Sequence, residues 1–485
     1  MDRATIERID AFAYRHRVSE VMTTPVVTLP PDASLEAATR LMREARSSAL
    51  IVLDGQDAAG GIPSGILTER DVLTAIAREG AAALARPIGD LMSRPVLAVP
   101  PEAFLHIALA RMERHSLRHL AVTEPGSGKL LGLLSARALL KQRAAAALAL
   151  GDDIAAAADV GALSAAYGRL PQLARGLLAE GLGASEIAQV ISDALSDMTA
   201  RAATLAAAAM EAEGRGPAPA PWAFLVLGSA GRGESLLAAD QDNALVHGGE
   251  KDLDPWFAEL GARSADLLNA AGLAYCSGGV MAKNPGCRHG LAGWKREIDR
   301  WIDERQPVDL LNADIFYDFR PVQGDRRLAE ALRTYAMEVA RAPGFLMRLA
   351  HMMDASSPAL TPILGRFRVK AGRVDLKRGG LRSLVAAARI LALKIGAPAL
   401  STSGRFAAAT EAGLLAPDDL ALFRDAAERL LRLILEQQVV DIEAGRPPGT
   451  GIEIRRLPRL ERDRLRAALL AVGRIDLVVR DALGR

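Results

Sequence analysis

Two stretches of the sequence repeat each other, and this repeat constrains the fold of the first third of the chain. VSEVMTTPVVTLPPDASLEAATRLM at 18–42 aligns with IGDLMSRPVLAVPPEAFLHIALARM at 88–112, so that Met22 matches Met92, 70 residues later. Each copy is typical of a strand–helix–strand–strand–helix unit. One unit of this size cannot bury both faces of its small sheet alone, so we predict that the two copies pack as a pair.

Each copy ends its last strand in a similar short motif. The motif residues are Gly65, Thr68 and Asp71 in the first copy, and Gly132, Ser135 and Ala138 in the second. Residues 14–145 therefore resemble the tandem cystathionine-β-synthase-type (CBS) module, whose motif contacts an adenosine nucleotide. The resemblance implies an adenine nucleotide effector bound by Thr68, Asp71 and Ser135. Because Ala138 cannot accept a ribose hydrogen bond, we expect the site around Thr68 and Asp71 to be the better one. A pair that serves only as a dimerisation or spacer module is the alternative.

The next segment is rich in alanine and leucine at helical spacing. We interpret residues 146–213 as a helical linker or small bundle. EGRGPAPAPW at 213–222 is rich in proline and glycine and indicates a domain boundary. We therefore predict a CBS-like regulatory module (14–145), this helical linker (146–213), a catalytic domain (221–330) and a C-terminal helical domain (331–480). The fold class is α/β plus all-α.

After that boundary comes a motif that carries chemistry, FLVLGSAGRGESLLAADQDNALV at 224–246. Gly228 lets the backbone approach a phosphate closely, because glycine has no Cβ. Ser229, at a helix start, and Arg232 are suited to bind an anion. Asp240 and Asp242 are two residues apart on a predicted strand that begins at Asp240, so their carboxylates share one face. Two adjacent carboxylates favour a hard cation such as Mg²⁺ (or Mn²⁺) between them.

The motif resembles the DNA-polymerase-β-type nucleotidyltransferase superfamily. Within it the chain is similar to the PII uridylyltransferase and glutamine-synthetase adenylyltransferase N-terminal domains, and to a branch that pairs CBS modules with a transferase and a helical substrate-binding domain. The resemblance implies a third catalytic and metal-binding carboxylate on a later strand. In LLNADIFYDFRPVQG at 310–324 we assign it to Asp318, and we expect Asp314 to be structural.

Two further regions supply candidate contacts to the substrate. The loop and helix at 275–301 contain Lys283 and Arg288, which we assign to nucleotide binding, together with Asn284 as a plausible contact. Solvated loop residues are the alternative. From about 325 to 480 the sequence is almost wholly helical, and the resemblance implies contacts to the triphosphate from its charged residues, Asp375, Lys377, Arg382 and Arg389.

Composition narrows the classes of partner and the compartment. The net charge is +2, from 60 basic and 58 acidic residues, so no basic stripe supports nucleic-acid binding or an RNA-tailing activity. Two cysteines make no disulfide scaffold, and the first 17 residues lack the apolar core of a signal peptide. We expect a cytoplasmic protein without membrane contact, which is a homodimer by the association usual among CBS pairs.

The resulting hypothesis is an Mg²⁺-dependent transferase that moves a nucleoside monophosphate (NMP) group from an NTP to an acceptor. Asp240, Asp242 and Asp318 would be catalytic and hold the metal, and the CBS-like pair would regulate the reaction. The resemblance implies a protein acceptor similar to PII. The alternative function is a regulator without catalysis, whose transferase domain binds nucleotide but does not turn it over.

Overall fold

The computed structural model describes residues 16–45, 47–54, 61–115, 117–303, 314–354, 359–361 and 365–484, with the side chains of 137–146, 252 and 354 left out. The chain divides into two compact units, Met1–Leu148 and Ala149–Arg485. In the described part, every helix is too short or too polar to cross a membrane.

The first unit contains the predicted repeat. Its first copy comprises β1 (Thr28–Leu29), α1 (Leu35–Glu44), β2 (Ala49–Leu53), β3 (Pro63–Thr68) and α2 (Glu69–Glu79). Its second copy comprises β4 (Ala98–Val99), α3 (Leu105–Arg114), β5 (His119–Thr123), β6 (Leu130–Ser135) and α4 (Ala136–Ala156), the last of which extends into the second unit. In each three-stranded sheet the middle strand pairs in parallel with the first strand and antiparallel with the third. The predicted strand–helix–strand–strand–helix order is confirmed in both copies.

Each copy completes its core with the segment that precedes the other copy. Val18 and Val21 pack into the core of the second copy, whereas Ile88 and Met92 pack into the core of the first. The backbone makes the same exchange: the N–H of Thr23, which precedes the first copy, donates to the carbonyl oxygen of Leu133 in β6 of the second copy at 2.8 Å. The two copies therefore depend on each other for burial of their apolar faces.

Two glycines make this exchange sterically feasible. A Cβ on Gly65 in β3 would lie 2.0 Å from Sδ of Met92, and a Cβ on Gly132 in β6 would lie 2.5 Å from Sδ of Met22. The repeated methionines thus lie directly on the glycines that begin each strand-end motif. A side chain at either glycine would therefore have to displace the methionine, whether or not the motif binds a ligand.

We expect Gly65→Ala to destabilise the first unit by about 1 kcal/mol or more, because the added methyl group overpacks the contact with Met92. Thermal unfolding of the full chain measures the effect. Gly151→Ala is the control, since a Cβ there meets no heavy atom within 4 Å. In the double variant Gly65→Ala/Met92→Ala the clash is absent, so part of the stability lost through it should be recovered. Equal melting temperatures for wild type and Gly65→Ala would contradict this packing.

The second unit begins with helices that lead into a four-stranded sheet. Its first helices are α5 (Val160–Tyr167), α6 (Leu170–Ala179) and α7 (Ala184–Met210), and they are followed by β7 (Trp222–Val226), α8 (Gly228–Arg232), β8 (Asn243–His247), α9 (Asp254–Ala270), β9 (Arg288–Gly290), α10 (Leu291–Asp303) and β10 (Arg320–Gly324). The strand order is β10-β7-β8-β9, with only β8 and β9 parallel. This order places the end of β7 beside the start of β8.

The helices between 146 and 213 pack into the second unit. One apolar cluster joins Ile187 and Met198 of α7 with Leu268 of α9 and with Leu435, from a helix near the C-terminus. A second cluster joins Ala203 of α7 with strands β7 and β8. The segment interpreted as a linker therefore contributes to the core of the second unit, because its long helix is apolar on more than one face.

The remaining elements are mainly helical, as predicted. They are α11 (Arg326–Val339), α12 (Pro343–Asp354), β11 (Val374–Asp375), α13 (Arg382–Ile395), α14 (Thr402–Glu411), α15 (Pro417–Glu443), β12 (Gly451–Ile452), α16 (Arg459–Val472) and α17 (Ile475–Gly484). The largest apolar cluster runs from the sheet through these helices, including Leu225, Phe319, Leu391 and Phe423. Sheet and C-terminal helices thus share one core, and the fold is α/β plus all-α.

Candidate functional site

The site is built where β7 ends, α8 turns and the chain returns into β8. The N–H of Leu227 donates to the carbonyl oxygen of Asp242 at 2.9 Å, which continues the pairing of β7 and β8 by one step. Asp240 and Asp242 precede β8 rather than lying on it, since the strand begins at Asn243. The predicted start of this strand at Asp240 was therefore three residues too early.

The two aspartates nevertheless share a face, because their neighbours point the other way. Gln241 is buried, and its Nε2 donates to the carbonyl oxygens of Ala265 and Leu273 at 3.0 and 2.9 Å. Asn243 is also buried, and its Oδ1 accepts from the N–H of Ala282. The side chains thus alternate between two faces in the extended segment before β8, as they would in a strand. The carboxylates of Asp240 and Asp242 therefore converge on one face.

Gly228 brings the backbone turn against the second carboxylate. It has a φ of +55°, and a Cβ at this position would lie 2.7 Å from Oδ2 of Asp242. Burial and the neighbouring charge of Asp240 raise the pKa of Asp242 to about 6. The carboxylate is therefore held in a place where a positive charge would stabilise its ionised form.

The structure adds one residue that the sequence did not predict. Sγ of Cys276 and carboxylate oxygens of Asp240 and Asp242 all lie within 4.8 Å of one another. Burial and the charge of Asp242 raise the pKa of the Cys276 thiol to about 12. A protonated thiol is a weak metal ligand. The donor set of two carboxylates therefore fits a hard divalent cation such as Mg²⁺.

Asp318 occupies a different environment from the one predicted. Residues 314–316 are helical and 317–318 form a turn, so Asp318 is not on a strand; β10 begins only at Arg320. Its carboxylate is completely buried and pairs with Arg232, Arg389 and Arg405 at 2.5, 2.5 and 2.7 Å. Among the described residues, Asp318 is not in the group formed by Asp240, Asp242 and Cys276. Asp314 pairs with Arg389, which agrees with the structural role expected of it.

The same contacts correct the assignment of Arg232. Its Nε donates to Glu234 at 2.8 Å and its Nη1 donates to Asp318, so this guanidinium is engaged within the protein. Ser229 lies in the first turn of α8, and its hydroxyl is 3.1 Å from that of Ser235. Of the three residues predicted to bind phosphate, Gly228 and Ser229 lie in the turn at the start of α8. Arg232 instead holds this turn through its contacts with Glu234 and Asp318.

The buried charges around Asp318 predict a pH dependence of stability. Burial alone would raise the pKa of Asp318, but Arg389, Arg232 and Arg405 hold it well below its ordinary value of 3.8. The stability that this carboxylate contributes is complete above its unfolded-state pKa and is lost as the pH falls towards the folded-state pKa. We expect the free energy of unfolding to fall less steeply between about pH 5 and pH 3 in Asp318→Asn than in wild type. Urea unfolding at several pH values measures both slopes, and equal slopes would refute the expectation.

Lys283 and Arg288, predicted to bind nucleotide, both have partners within the protein. Arg288 is buried; it makes two hydrogen bonds to Asp254, at 2.8 and 3.0 Å, and also binds the carbonyl oxygen of Ala282. It therefore fixes the loop and is corrected to a structural residue. Nζ of Lys283 lies 3.7 Å from Oδ1 of Asp266 and 4.0 Å from the ring centre of Tyr275, but it remains partly exposed. The amide of Asn284 donates to Gly279 within the same loop.

One cation of the C-terminal part acts on the aspartate pair. Lys377, exposed at the start of a π-helical turn before α13, favours the ionised form of Asp242 and opposes the rise of its pKa. Asp375 instead accepts a hydrogen bond from Thr450 at 2.9 Å, and Arg389 is buried with Asp318. Of the C-terminal residues considered for triphosphate binding, Lys377 is thus one whose charge acts directly on Asp242.

In the first unit, Thr68 and Asp71 are brought together at the start of α2. Oγ1 of Thr68 donates to Oδ2 of Asp71 at 2.7 Å, and the N–H of Thr68 donates to the same oxygen at 2.8 Å. This is a capping box, which stabilises the helix start without any ligand. Ser135 ends β6 at the corresponding place in the second copy.

Comparisons with known families match three parts of the chain. The CBS domain matches residues 18–78 and 88–145, "Putative nucleotidyltransferase DUF294" matches residues 168–308, and "Putative nucleotidyltransferase substrate binding domain" matches residues 343–482. The DUF294 match begins just after α5, so it includes α6 and α7 as well as strands β7, β8 and β9. The two nucleotidyltransferase matches together extend over most of the second unit.

Individual relatives match about a quarter of the chain. An uncharacterized 33.4 kDa protein in a ribosomal RNA operon of Thermofilum pendens is 32% identical over 134 residues, which are 26% of this chain and 42% of that protein. An uncharacterized 17.7 kDa protein of Acidianus ambivalens is 30% identical over 125 residues, 26% of this chain and 71% of that protein. Among solved structures, the CBS domain protein PAE2072 from Pyrobaculum aerophilum, complexed with AMP, is 29% identical and covers 27% of this chain and 94% of its own, with a TM-score of 0.24.

Proposed function

Because the chain belongs to the family that joins paired CBS domains to a DUF294 nucleotidyltransferase domain and its substrate-binding domain, we propose that it transfers an NMP group from an NTP to an acceptor and releases pyrophosphate. The reaction would depend on Mg²⁺ or Mn²⁺. By the resemblance stated above, the acceptor would be a protein similar to PII. Adenine nucleotide bound to the CBS pair would regulate the transfer.

One observation carries the proposal. The carboxylates of Asp240 and Asp242 converge beside a glycine turn whose backbone leaves no room for a side chain, with 2.7 Å between the Cβ position of Gly228 and Oδ2 of Asp242. A turn of this kind allows backbone to approach phosphate, while the two carboxylates are suited to a divalent cation. Nucleotidyl transfer requires both features in one place.

Each residue of the site has a defined part in this proposal. Asp240 and Asp242 would hold the cation, which when bound neutralises phosphate charge. Gly228 and Ser229 would orient the phosphates at the start of α8. Lys377, exposed and positive, would bind the end of the triphosphate as a point charge. Asp318 has no part in proton transfer in this proposal, because its carboxylate is paired with three arginines.

The test is incubation of the full chain with each of the four labelled NTPs, Mg²⁺ or Mn²⁺, and cell lysate as the source of acceptor. We expect pyrophosphate release with at least one NTP and a labelled acceptor of defined mass. Measured NTP binding without pyrophosphate release, under every one of these conditions, would refute the transferase. It would instead support the regulator that binds nucleotide without turnover.

The CBS pair gives a separate prediction. If Thr68 and Asp71 bind the ribose of an adenine nucleotide, Asp71→Ala should lower the affinity for AMP by roughly tenfold or more, which is the usual effect of removing a hydrogen bond to a charged group. Isothermal titration calorimetry of the full chain measures this affinity.

The control separates binding from loss of the helix cap. Ser34 caps α1 by accepting from the N–H of Ala37 at 3.2 Å. Ser34→Ala should therefore cost about 1 kcal/mol of stability, as cap removal usually does, without changing AMP affinity. If Asp71→Ala binds AMP as tightly as wild type, Thr68 and Asp71 serve only as a helix cap.

A further inference from the structure

The group formed by Asp318, Arg232, Arg389 and Arg405, named here the arginine hub, joins three distant parts of the second unit. Arg232 ends α8, Arg389 lies in α13, and Arg405 lies in α14. Both carboxylate oxygens of Asp318 accept hydrogen bonds: Oδ1 from Arg389 and Arg405, Oδ2 from Arg389 and Arg232. A carboxylate with four such bonds has little capacity left for a further ligand.

The surroundings of the hub also disfavour a cation. Arg389 and Arg405 are buried with Asp318, and only 11% of the Arg232 side chain is exposed. Their positive charges are therefore poorly screened by solvent and repel a metal ion. One further carboxylate, that of Asp314, reaches Arg389 from the same segment. Asp318 is therefore neither a third metal ligand nor a proton acceptor in this arrangement.

Two further contacts fix α8 to the hub and to the C-terminal helices. The backbone of Asp318 lies directly against α8, because a Cβ on Gly231 would meet the carbonyl oxygen of Asp318 at 1.9 Å. Glu234, which pairs with Arg232, also accepts from the N–H of Thr402 at the start of α14, at 2.6 Å. The short helix that follows Gly228 is thus held by contacts from outside the sheet.

We propose that Asp318 is a positioning residue: through Arg232 it locks the phosphate-facing turn Gly228–Arg232 onto helices α13 and α14. This inference rests on the proposed function, since it assumes that the turn binds an NTP. It assigns the C-terminal helices a direct part in shaping the nucleotide site. Loss of the hub disturbs NTP binding, whereas the cation site at Asp240 and Asp242 keeps its ligands.

The test compares metal and nucleotide affinity in the full chain. Mn²⁺ binding is measured by electron paramagnetic resonance without nucleotide, and NTP binding by calorimetry with Mn²⁺. For Asp318→Asn we expect Mn²⁺ affinity within about threefold of wild type and NTP affinity lowered roughly tenfold or more, in the range seen when residues supporting a site are removed. Asp242→Asn should lose Mn²⁺ affinity. Loss of Mn²⁺ affinity in Asp318→Asn to the same extent would overturn the proposal.

A matched control removes another buried carboxylate that is paired with arginines. Asp441 is completely buried and binds Arg373 and Arg446 at 2.5 and 2.8 Å. Asp441→Asn should lower stability as Asp318→Asn does, but leave NTP affinity within about threefold of wild type, because neither Arg373 nor Arg446 belongs to the arginine hub. An equal loss of NTP affinity in both variants would mean that general destabilisation is the cause, and the proposal would fail.

A second variant decides the matter if Asp318→Asn does not fold. The double variant Arg232→Gln/Asp318→Asn removes one charge of each sign and therefore avoids an uncompensated buried arginine at that contact. Its loss of NTP affinity should be no greater than that of Arg232→Gln alone, because both residues act through one contact. Additive losses would overturn the proposal. These measurements need no turnover, so a failure to release pyrophosphate would refute the transferase while the binding results still decide the role of Asp318.

Discussion

Replacing Asp240 and Asp242 together by asparagine will lower pyrophosphate release by about 10³-fold or more, because the variant keeps the shape of the site but loses both charges that hold the cation. The effect is large since Asp242 lies directly against Gly228 and no other described carboxylate joins the pair. Release of pyrophosphate from the accepted NTP, with its acceptor supplied, is the measurement.

The control for this variant is Asp152→Asn, which removes an exposed carboxylate of α4. Its rate should equal that of wild type. Thermal unfolding of both variants establishes that they are folded, and the double variant should be at least as stable as wild type, since it relieves repulsion between neighbouring carboxylates. Undiminished pyrophosphate release from Asp240→Asn/Asp242→Asn would exclude this pair as the catalytic centre.

The second large effect is expected at the turn itself. Gly228→Ala places a methyl group 2.7 Å from Oδ2 of Asp242 and asks alanine to adopt a φ of +55°. The carboxylate must move, and the left-handed backbone costs roughly 1 kcal/mol in addition. We expect both NTP affinity and pyrophosphate release to fall by about 10²-fold, in line with the loss caused by misplacing a reacting group by about 1 Å.

Gly413→Ala separates the steric effect from the backbone effect. Gly413 has a φ of +74°, yet a Cβ there meets no heavy atom within 4 Å. Gly413→Ala should lose as much stability from the left-handed backbone as Gly228→Ala does, as measured by urea unfolding. It should keep the NTP affinity of wild type. If Gly228→Ala behaves like Gly413→Ala, the contact between the turn and Asp242 has no part in binding.

The sequence predicted those parts of the fold in which the local pattern of apolar residues matches the face that is buried in the structure. The 70-residue repeat specified both small sheets, because each pattern of strand and helix occurs twice and each must bury the same apolar face. The pair Asp240 and Asp242 was predicted for a similar reason: alternation along an extended chain requires only that Gln241 and Asn243 point inward, which they do. Placing the start of β8 three residues too early did not change that face.

The prediction for Asp318 was wrong about its structure, and the reason is physical. The resemblance implied a strand at Asp318, yet Phe316, Tyr317 and Phe319 are all buried, and a helical segment followed by a turn stands in its place. The partners of Asp318 lie 71 and 87 residues away, at Arg389 and Arg405. No local pattern indicates contacts at such separations.

Cys276 was missed for a related reason. Its loop is brought to the site by the bond from the N–H of Gln241 to the carbonyl oxygen of Ala274, a contact between segments with no shared motif. A single cysteine in a glycine-containing loop carries no spacing signal. Long-range placement of this kind becomes visible only when the fold is known.

The exchange of segments between the repeated copies limits how the protein can be dissected. A fragment that ends before residue 87 lacks Ile88 and Met92, which fill the first core, and a fragment that starts after residue 22 lacks Val18 and Val21, which fill the second. Half of the pair therefore exposes apolar surface that its own residues cannot cover. The two copies must be produced and mutated as one cooperative folding unit, and a melting curve of the pair should show one transition rather than two.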